Sequence, residues 1–332
     1  TVTLKPVPIF ALGGTIAMSP GPDGSAVPAL SADQLIKAVP ELGPIADITA
    51  VDFRQLPGAH LRIEDTVALA HGIKSAQSKG AQGVVVTQGT DTIEETAFVL
   101  DLLCDPEFHV VVTGAMRHPA IAGADGGANL LAAVTVAATP EAAGFGAMVV
   151  MNDEIHAGAL VRKTHATRPN AFASPDGGQI GMVIEGKPHF LMRPTTRASA
   201  ALPDKTAIAP TIAIVGTGLG DGGEMAKHIK NKEFSGLVIE AMGAGHLSEQ
   251  AASAYETLAG SMPVVFASRT NGGMVLENTY GFPGSESDLV SRGLIRAGWL
   301  TAPKARLLLA LCLMNGLDMD KIRNAFAKFG GG

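Results

Sequence analysis

Three consecutive valines, Val84-Val85-Val86, run into Thr87-Gln88-Gly89-Thr90-Asp91-Thr92 and then directly into a helix-favouring segment, Ile93-Glu94-Glu95-Thr96-Ala97. A short β-branched run without polar alternation reads as a strand buried on both faces. Such a strand passing at once into a helix constrains the chain towards a parallel sheet with helices packed on it. It also sets the Thr90 hydroxyl and the Asp91 carboxylate at the carboxyl end of a buried strand, the edge at which open α/β sheets bind ligands. A second hydroxyl stands in the same setting near the N-terminus, in Val7-Pro8-Ile9-Phe10-Ala11-Leu12-Gly13-Gly14-Thr15-Ile16-Ala17. Two strand-end threonines, each next to glycine, point to threonine-based acyl transfer.

The alternation continues along the chain. Strands are expected at Val7–Leu12, Ile48–Phe53, Gly83–Thr87, His109–Thr113 and Ala147–Asn152, with helices at Ala32–Val39, Glu64–Lys79, Ile93–Leu103 and Gly127–Ala138. Ser31 and Gln34 form a capping-box pattern before the first helix. From Pro188 to Pro210 the periodicity fades into a proline-punctuated polar stretch, read as an interdomain connection. A second α/β pattern follows, with strands at Thr211–Val215, Gly236–Glu240 and Pro263–Ser268 and helices at Ser248–Ala259, Pro303–Asn315 and Met319–Lys328. Asp318 suits the N-cap of the last helix, and Gly330 follows its end. The expected organisation is an α/β protein with a larger, mainly parallel N-terminal domain (1–190), a linker (191–210) and a smaller C-terminal α/β domain (211–332).

Bulk properties exclude several classes. With 46% apolar and 17% charged residues over 332 positions, the chain is globular and long enough for two domains. A net charge of −6 gives no reason to expect nucleic acid or an anionic membrane as partner. The longest purely apolar run, Leu307–Met314, is far too short to span a bilayer. Cys104 and Cys312 imply no disulfide framework and read as two buried apolar thiols. The nine histidines are scattered without metal-ligand spacing, so no metal is expected. The chain begins at Thr1 rather than Met, which is compatible with a removed leader. A cytoplasmic location is expected, with the periplasm left open.

A threonine hydroxyl is a weak nucleophile at neutral pH and needs activation. Glycines at 13 and 14 let the backbone approach a ligand and aim N–H groups at a developing oxyanion, or else they simply form a tight turn. Asp91 can bind a substrate ammonium or orient a hydroxyl, or it can cap the helix that begins near Thr92. Lys163, in Leu160-Val161-Arg162-Lys163-Thr164-His165, is either a solvated surface residue or, with a partner, a general base.

Five motifs stand in order: Leu12-Gly13-Gly14-Thr15-Ile16-Ala17, Gln88-Gly89-Thr90-Asp91-Thr92-Ile93-Glu94-Glu95-Thr96, Gly114-Ala115-Met116-Arg117, Val150-Met151-Asn152-Asp153 and Lys304-Ala305-Arg306-Leu307-Leu308-Leu309. Together, from about Pro8 to about Phe329, they resemble the bacterial type I/II L-asparaginases. The resemblance implies a two-domain α/β fold and cofactor-free hydrolysis of a small side-chain amide through a threonyl ester. Thr15 would attack, while Thr90, Asp91 and Lys163 would form the second catalytic group, with Lys163 easing deprotonation of Thr90. Gly58, Ala59, Gly89, Ala115 and His246 would line the substrate with Thr90 and Asp91. The resemblance also implies a homotetramer, a dimer of dimers, in which a neighbouring C-terminal domain completes each site. Glu286 falls where the family's neighbour-supplied acid lies.

The sequence also departs from the family's pattern. The tyrosine that usually follows the first threonine is missing from Ser19–Pro28, and the only tyrosines are Tyr255 and Tyr280, leaving Ser25 as a candidate substitute. Gly58-Ala59-His60 stands where the family usually has Ser-Gln-Asp, and His246 lies near a ligand-contacting asparagine. Each charged hydrogen bond lost would remove about 1.5–3 kcal/mol of discrimination. A related amide, substituted or D-configured, is therefore an alternative to L-asparagine, and a non-catalytic amino-acid sensor is another. From a different class, Gly218-Leu219-Gly220-Asp221-Gly222-Gly223 matches a dinucleotide fingerprint, with Glu240 about 20 residues on.

Overall fold

The computed structural model describes residues 3–23, 25–28, 30–195, 197–229 and 233–332. It contains two compact units, Thr1–Thr195 and Thr196–Gly332.

The first unit carries strands β1 (Ile9–Ala11), β2 (Met18–Pro20), β3 (Ala26–Pro28), β4 (Ala50–Asp52), β5 (Gly83–Thr87), β6 (His109–Thr113), β7 (Ala147–Met151), β8 (Glu154–Ala157), β9 (Arg162–Lys163), β10 (Phe172–Ala173), β11 (Gly181–Ile184) and β12 (Lys187–Phe190). Its helices are α1 (Ala32–Lys37), α2 (Ile63–Ser78), α3 (Ile93–Leu103) and α4 (Gly126–Ala138). Eight strands form one sheet in the order β12-β11-β8-β7-β6-β5-β1-β4. From β4 to β7 the neighbours are parallel, and β8, β11 and β12 add antiparallel strands at one end.

The valine run explains the centre of this sheet. Val84, Val85 and Val86 have no solvent exposure, so both faces of β5 are covered. Val85, Val111, Met148 and Val150 share one core with Leu35 of α1 and Leu130, Ala133 and Val134 of α4. The alternate residues, Val84, Val86, Val110, Val112 and Val149, point to the opposite face, where α2 and α3 pack. Each buried valine contributes about 1.5–3 kcal/mol of transfer free energy. The capping box forms as expected, with Gln34 N–H donating to Ser31 Oγ at 3.2 Å and Ser31 N–H to Gln34 Oε1 at 2.8 Å.

Some boundaries differ from expectation. The strand expected to reach Asn152 stops at Met151, because Asn152 and Asp153 take φ of +53° and +62°. That is the tight two-residue turn that reverses β7 into β8, and Asn and Asp tolerate it. Helix α1 ends at Lys37, because Pro40 keeps Val39 out of helical geometry. The interdomain connection was expected to begin near Pro188, but Pro188 lies in β12, which pairs with β11. As the outermost strand, β12 has a free side where a missing N–H costs nothing.

The second unit is a four-stranded parallel sheet, β13 (Ile212–Gly216), β14 (Gly236–Ala241), β15 (Val264–Ser268) and β16 (Ile295–Arg296), in that order. Its helices are α5 (Glu249–Ala259), α6 (Glu286–Ser291), α7 (Ala302–Met314) and α8 (Met319–Ala327). Asp318 caps α8, accepting the Lys321 N–H at 2.9 Å, and Gly330 follows at φ +74°. The glycine-rich loop leads only into a short 3₁₀ turn, Glu224–His228. A dinucleotide fold needs an α-helix N-terminus there to face the pyrophosphate, so that alternative loses its structural basis. Among the described residues, no helix is long and apolar enough to cross a membrane, and no cluster of three or more His, Cys, Asp or Glu could hold a metal ion. Burial pushes the Cys104 thiol up to about 12 and the Cys312 thiol to about 11, leaving both as inert packing groups.

Candidate active site

Strands β1 and β5 are parallel neighbours in the register Ala11↔Thr87, so the loops leaving them run side by side. Gly14 sits at φ +85°, ψ −174°, a region that only glycine adopts without strain. A Cβ there would lie 2.1 Å from the Gly89 nitrogen. A Cβ on Gly89 would lie 2.6 Å from the Gly58 nitrogen, and one on Gly114 would lie 2.5 Å from the Gln88 oxygen. The loops beyond β1, β4, β5 and β6 therefore press together backbone to backbone. Thr15 follows Gly14 and Thr90 follows Gly89, so one glycine contact brings both threonine loops to the same edge.

Thr90 is buried, and Lys163 Nζ donates to its hydroxyl at 2.9 Å and to Asp91 Oδ1 at 2.8 Å. The Lys163 side chain is only 15% exposed, whereas that of Asp91 is 66% exposed. Lys163 is thus not a solvated surface residue. Asp91 does not cap α3: Thr92 occupies that position, and the carboxylate is spent on the lysine. Thr15 is half-buried at the start of a 3₁₀ turn, and its hydroxyl has no side-chain partner among the described residues.

Of the supporting residues, Gln88, Thr92 and Glu94 lie inside the quoted motifs without a role assigned there, whereas Asp125 and Asn129 lie outside them. Glu94, on the first turn of α3, accepts the backbone N–H of Lys163. Thr92 Oγ1 donates to the Gly58 carbonyl at 2.9 Å and accepts from Gln88 Nε2 at 3.1 Å, which ties the β4 and β5 loops together. Asp125 accepts the N–H groups of Met116 and Arg117, and Asn129 links the Gly114 carbonyl to the Asn152 N–H. Ala115 is fully buried, so its side chain only packs. Gly58 is buried in a 3₁₀ turn, while Ala59 and His60 are exposed. Ser25 donates to Asp23 Oδ1 at 2.6 Å in the exposed turn between β2 and β3.

In the second unit, Glu286 is fully buried at the start of α6 and accepts from Thr279 N, Tyr280 N and His246 Nε2 at 2.8, 2.8 and 3.0 Å. Burial pushes its carboxyl up, but the backbone donors and His246 outweigh it and hold the group below its usual value. Tyr280 and Phe282 stand edge-on to the His246 ring at 4.8 and 5.0 Å.

The sequence matches the family model for the N-terminal asparaginase domain over residues 6–196 and that for the glutaminase/asparaginase C-terminal domain over residues 211–326. This chain belongs to the asparaginase family. A probable L-asparaginase of Deinococcus radiodurans is 35% identical over 98% of both chains. A probable periplasmic L-asparaginase of Haemophilus influenzae is 34% identical over 98% of this chain and 93% of its own. The crystal structure of a probable cytoplasmic L-asparaginase from Campylobacter jejuni superposes with a TM-score of 0.88 at 34% identity, covering 98% of this chain and 100% of that one.

As a member of this family the chain is an amidohydrolase with the two-domain α/β asparaginase fold. The strand-end cluster has parts suited to that chemistry. A half-buried hydroxyl stands next to Gly13 and Gly14, whose backbone approaches closely, and a buried hydroxyl is held by a lysine–carboxylate pair. The Gly58-Ala59-His60 turn offers the cluster backbone N–H groups and no side-chain donor from its first two positions.

Proposed function

We propose that this asparaginase-family chain hydrolyses the side-chain amide of L-asparagine to L-aspartate and ammonia through an ester on Thr15. The observation that carries this reading is Lys163 Nζ within hydrogen-bond reach of both Thr90 Oγ1 and Asp91 Oδ1. Thr15 Oγ1 bonds to the amide carbon, and as the C–N bond breaks the Thr15 hydroxyl proton passes to the nitrogen, which leaves as ammonia. Backbone N–H groups at the glycine loops suit the developing oxyanion. Water then attacks the ester carbon. One water proton passes through Thr90, whose oxygen Lys163 stabilises by its hydrogen bond, and on to Thr15 Oγ1 as the C–O bond to Thr15 breaks, so that the acid leaves and the Thr15 hydroxyl is restored. Asp91 holds Lys163 in place and offers its exposed oxygen to the substrate ammonium. Ammonia release that is lost in Thr15→Ala tests the reading; undiminished release in that variant overturns it.

A second reading is a related amide, substituted or D-configured at the α-carbon, and the absence of side-chain donors at Gly58 and Ala59 favours it. Measuring kcat/KM on L-asparagine, D-asparagine, L-glutamine and N-substituted derivatives separates the two. In the same proposal the enzyme is a cytoplasmic homotetramer, a dimer of dimers, and Glu286 and His246 reach the site of a neighbouring copy. Mixed tetramers of Thr15→Ala and Glu286→Ala chains would then regain activity that neither parent has. Failure to regain any, in tetramers shown to be mixed, would confine those residues to a structural role.

A further inference from the structure

The hairpin that delivers Lys163 cannot hold itself. Strands β9 and β10 are two residues each, paired through Phe172↔Lys163 and Ala173↔Arg162 and extended by one step where the Thr164 N–H and Oγ1 donate to the Ala171 carbonyl at 2.7 and 3.1 Å. Isolated two-stranded hairpins are marginal even when much longer. Among the ties that secure this one, three involve its flanks and backbone. Arg162 Nη2 bonds Asp176 Oδ2 at 3.0 Å, within the same segment. The Lys163 N–H reaches Glu94 on α3. The third tie runs to the main sheet: Ser174, immediately after β10, meets His156 Nδ1 of β8 at 2.9 Å, and His156 Nε2 meets Glu154 Oε2 at 3.0 Å.

His156 is 1% exposed and Ser174 is 5% exposed. Burial holds the imidazole below its ordinary value against the pull of Glu154, which favours the neutral ring. With Nε2–H donated to the Glu154 carboxylate, Nδ1 is left as an acceptor, and the Ser174 hydroxyl is its donor. The order Ser–His–Glu has the composition of a nucleophilic triad. Here the serine is buried, and its hydroxyl is committed to the His156 ring.

We propose that His156, oriented by Glu154, is a positioning residue that fixes the Ser174 end of the β9–β10 hairpin and so holds the Lys163 amine against Thr90. This rests on the reading of Lys163 given above. A displacement near 1 Å at a reacting group can cost about 100-fold in rate, so loosening the hairpin acts on kcat rather than on binding.

The test uses Ser174→Ala, Ser174→Thr and His156→Gln in wild-type and Lys163→Met backgrounds, assayed by ammonia release at high enzyme concentration and well below each variant's Tm. Ser174→Ala and His156→Gln are expected to lower kcat about 10- to 100-fold with KM within about twofold. Ser174→Thr, which keeps the hydroxyl, should recover most of that loss. In the Lys163→Met background, Ser174→Ala should cost nothing further, as expected when two residues act through one group. An unchanged kcat in both folded variants, or the same fold-loss with and without Lys163, overturns the proposal. If Lys163→Met alone leaves kcat intact, the fault lies in the role given to Lys163. Should Ser174→Ala not fold, His156→Gln makes the same comparison.

Discussion

The loops carrying Thr15 and Thr90 start alike and end differently. Each leaves one of two neighbouring parallel strands, passes through glycine and presents a threonine. The Thr15 loop reaches its hydroxyl by way of Gly13 and Gly14, at φ +99° and +85°, and leaves it half-buried without a side-chain partner among the described residues. The Thr90 loop buries its hydroxyl under Lys163 and locks the next turn through Thr92 and Gln88. The same local sequence pattern thus yields two environments, and the proposed roles, attack by Thr15 and proton transfer through Thr90, rest on that difference.

The comparison can be broken most sharply at Thr15, the group proposed to attack. Thr15→Ala is expected to lower kcat at least about 10³-fold with stability within about 0.5 kcal/mol. A larger loss from Thr90→Ala than from Thr15→Ala would reverse the roles. Lys163→Met should cost about 10²–10³-fold in kcat with little change in KM. An intact kcat there would mean that the lysine only anchors Asp91.

The shared foundation of the two loops is the Gly14–Gly89 contact. Gly14→Ala adds a Cβ 2.1 Å from the Gly89 nitrogen at a φ that L-residues avoid. Denaturant unfolding should show a loss of about 2–5 kcal/mol. A value below 1 kcal/mol would show that the loops can separate freely. Thr92→Val removes a hydroxyl that both donates and accepts, and should cost about 1–2 kcal/mol by the same measurement.

The smallest expected effect is on pH dependence. Burial holds His156 below its ordinary 6.5 in the folded chain. As pH falls, the unfolded chain binds that proton first. The contribution is therefore full above about pH 6.5 and is lost as pH drops through the folded value. Urea titrations at pH 7.5 and 5.5 should show this decline in the wild type and a shallower one in His156→Gln. Equal slopes would place the titration elsewhere.

Much of the first unit's centre was legible in the sequence, because a buried parallel strand writes itself as a β-branched run and a helix as a 3.6-residue period. The Val84–Val86 strand, the Ile93–Leu103 helix and the Ser31–Gln34 cap stand where local chemistry put them. The antiparallel end, β8, β11 and β12, was not legible. Its strands are four residues each, one contains Pro188, and they gain stability by pairing with the strands beside them. α6 and β16 escaped for the same reason, being six and two residues long.

The candidate site divides along the same line. The sequence by itself determined which groups exist: two hydroxyls beyond glycine at strand ends, a carboxylate next to one of them, and a lysine far along the chain. It also determined the family, through five motifs in order. Only the tertiary structure decided that Lys163 bonds Thr90, that Asp91 bonds the lysine instead of capping the helix, and that His156 bonds Ser174. Those pairings join residues 18 to 73 positions apart. Local propensity acts over a few residues, whereas the approach of β9 to Thr90 follows from sheet order and glycine contacts that exist only once the chain has closed on itself.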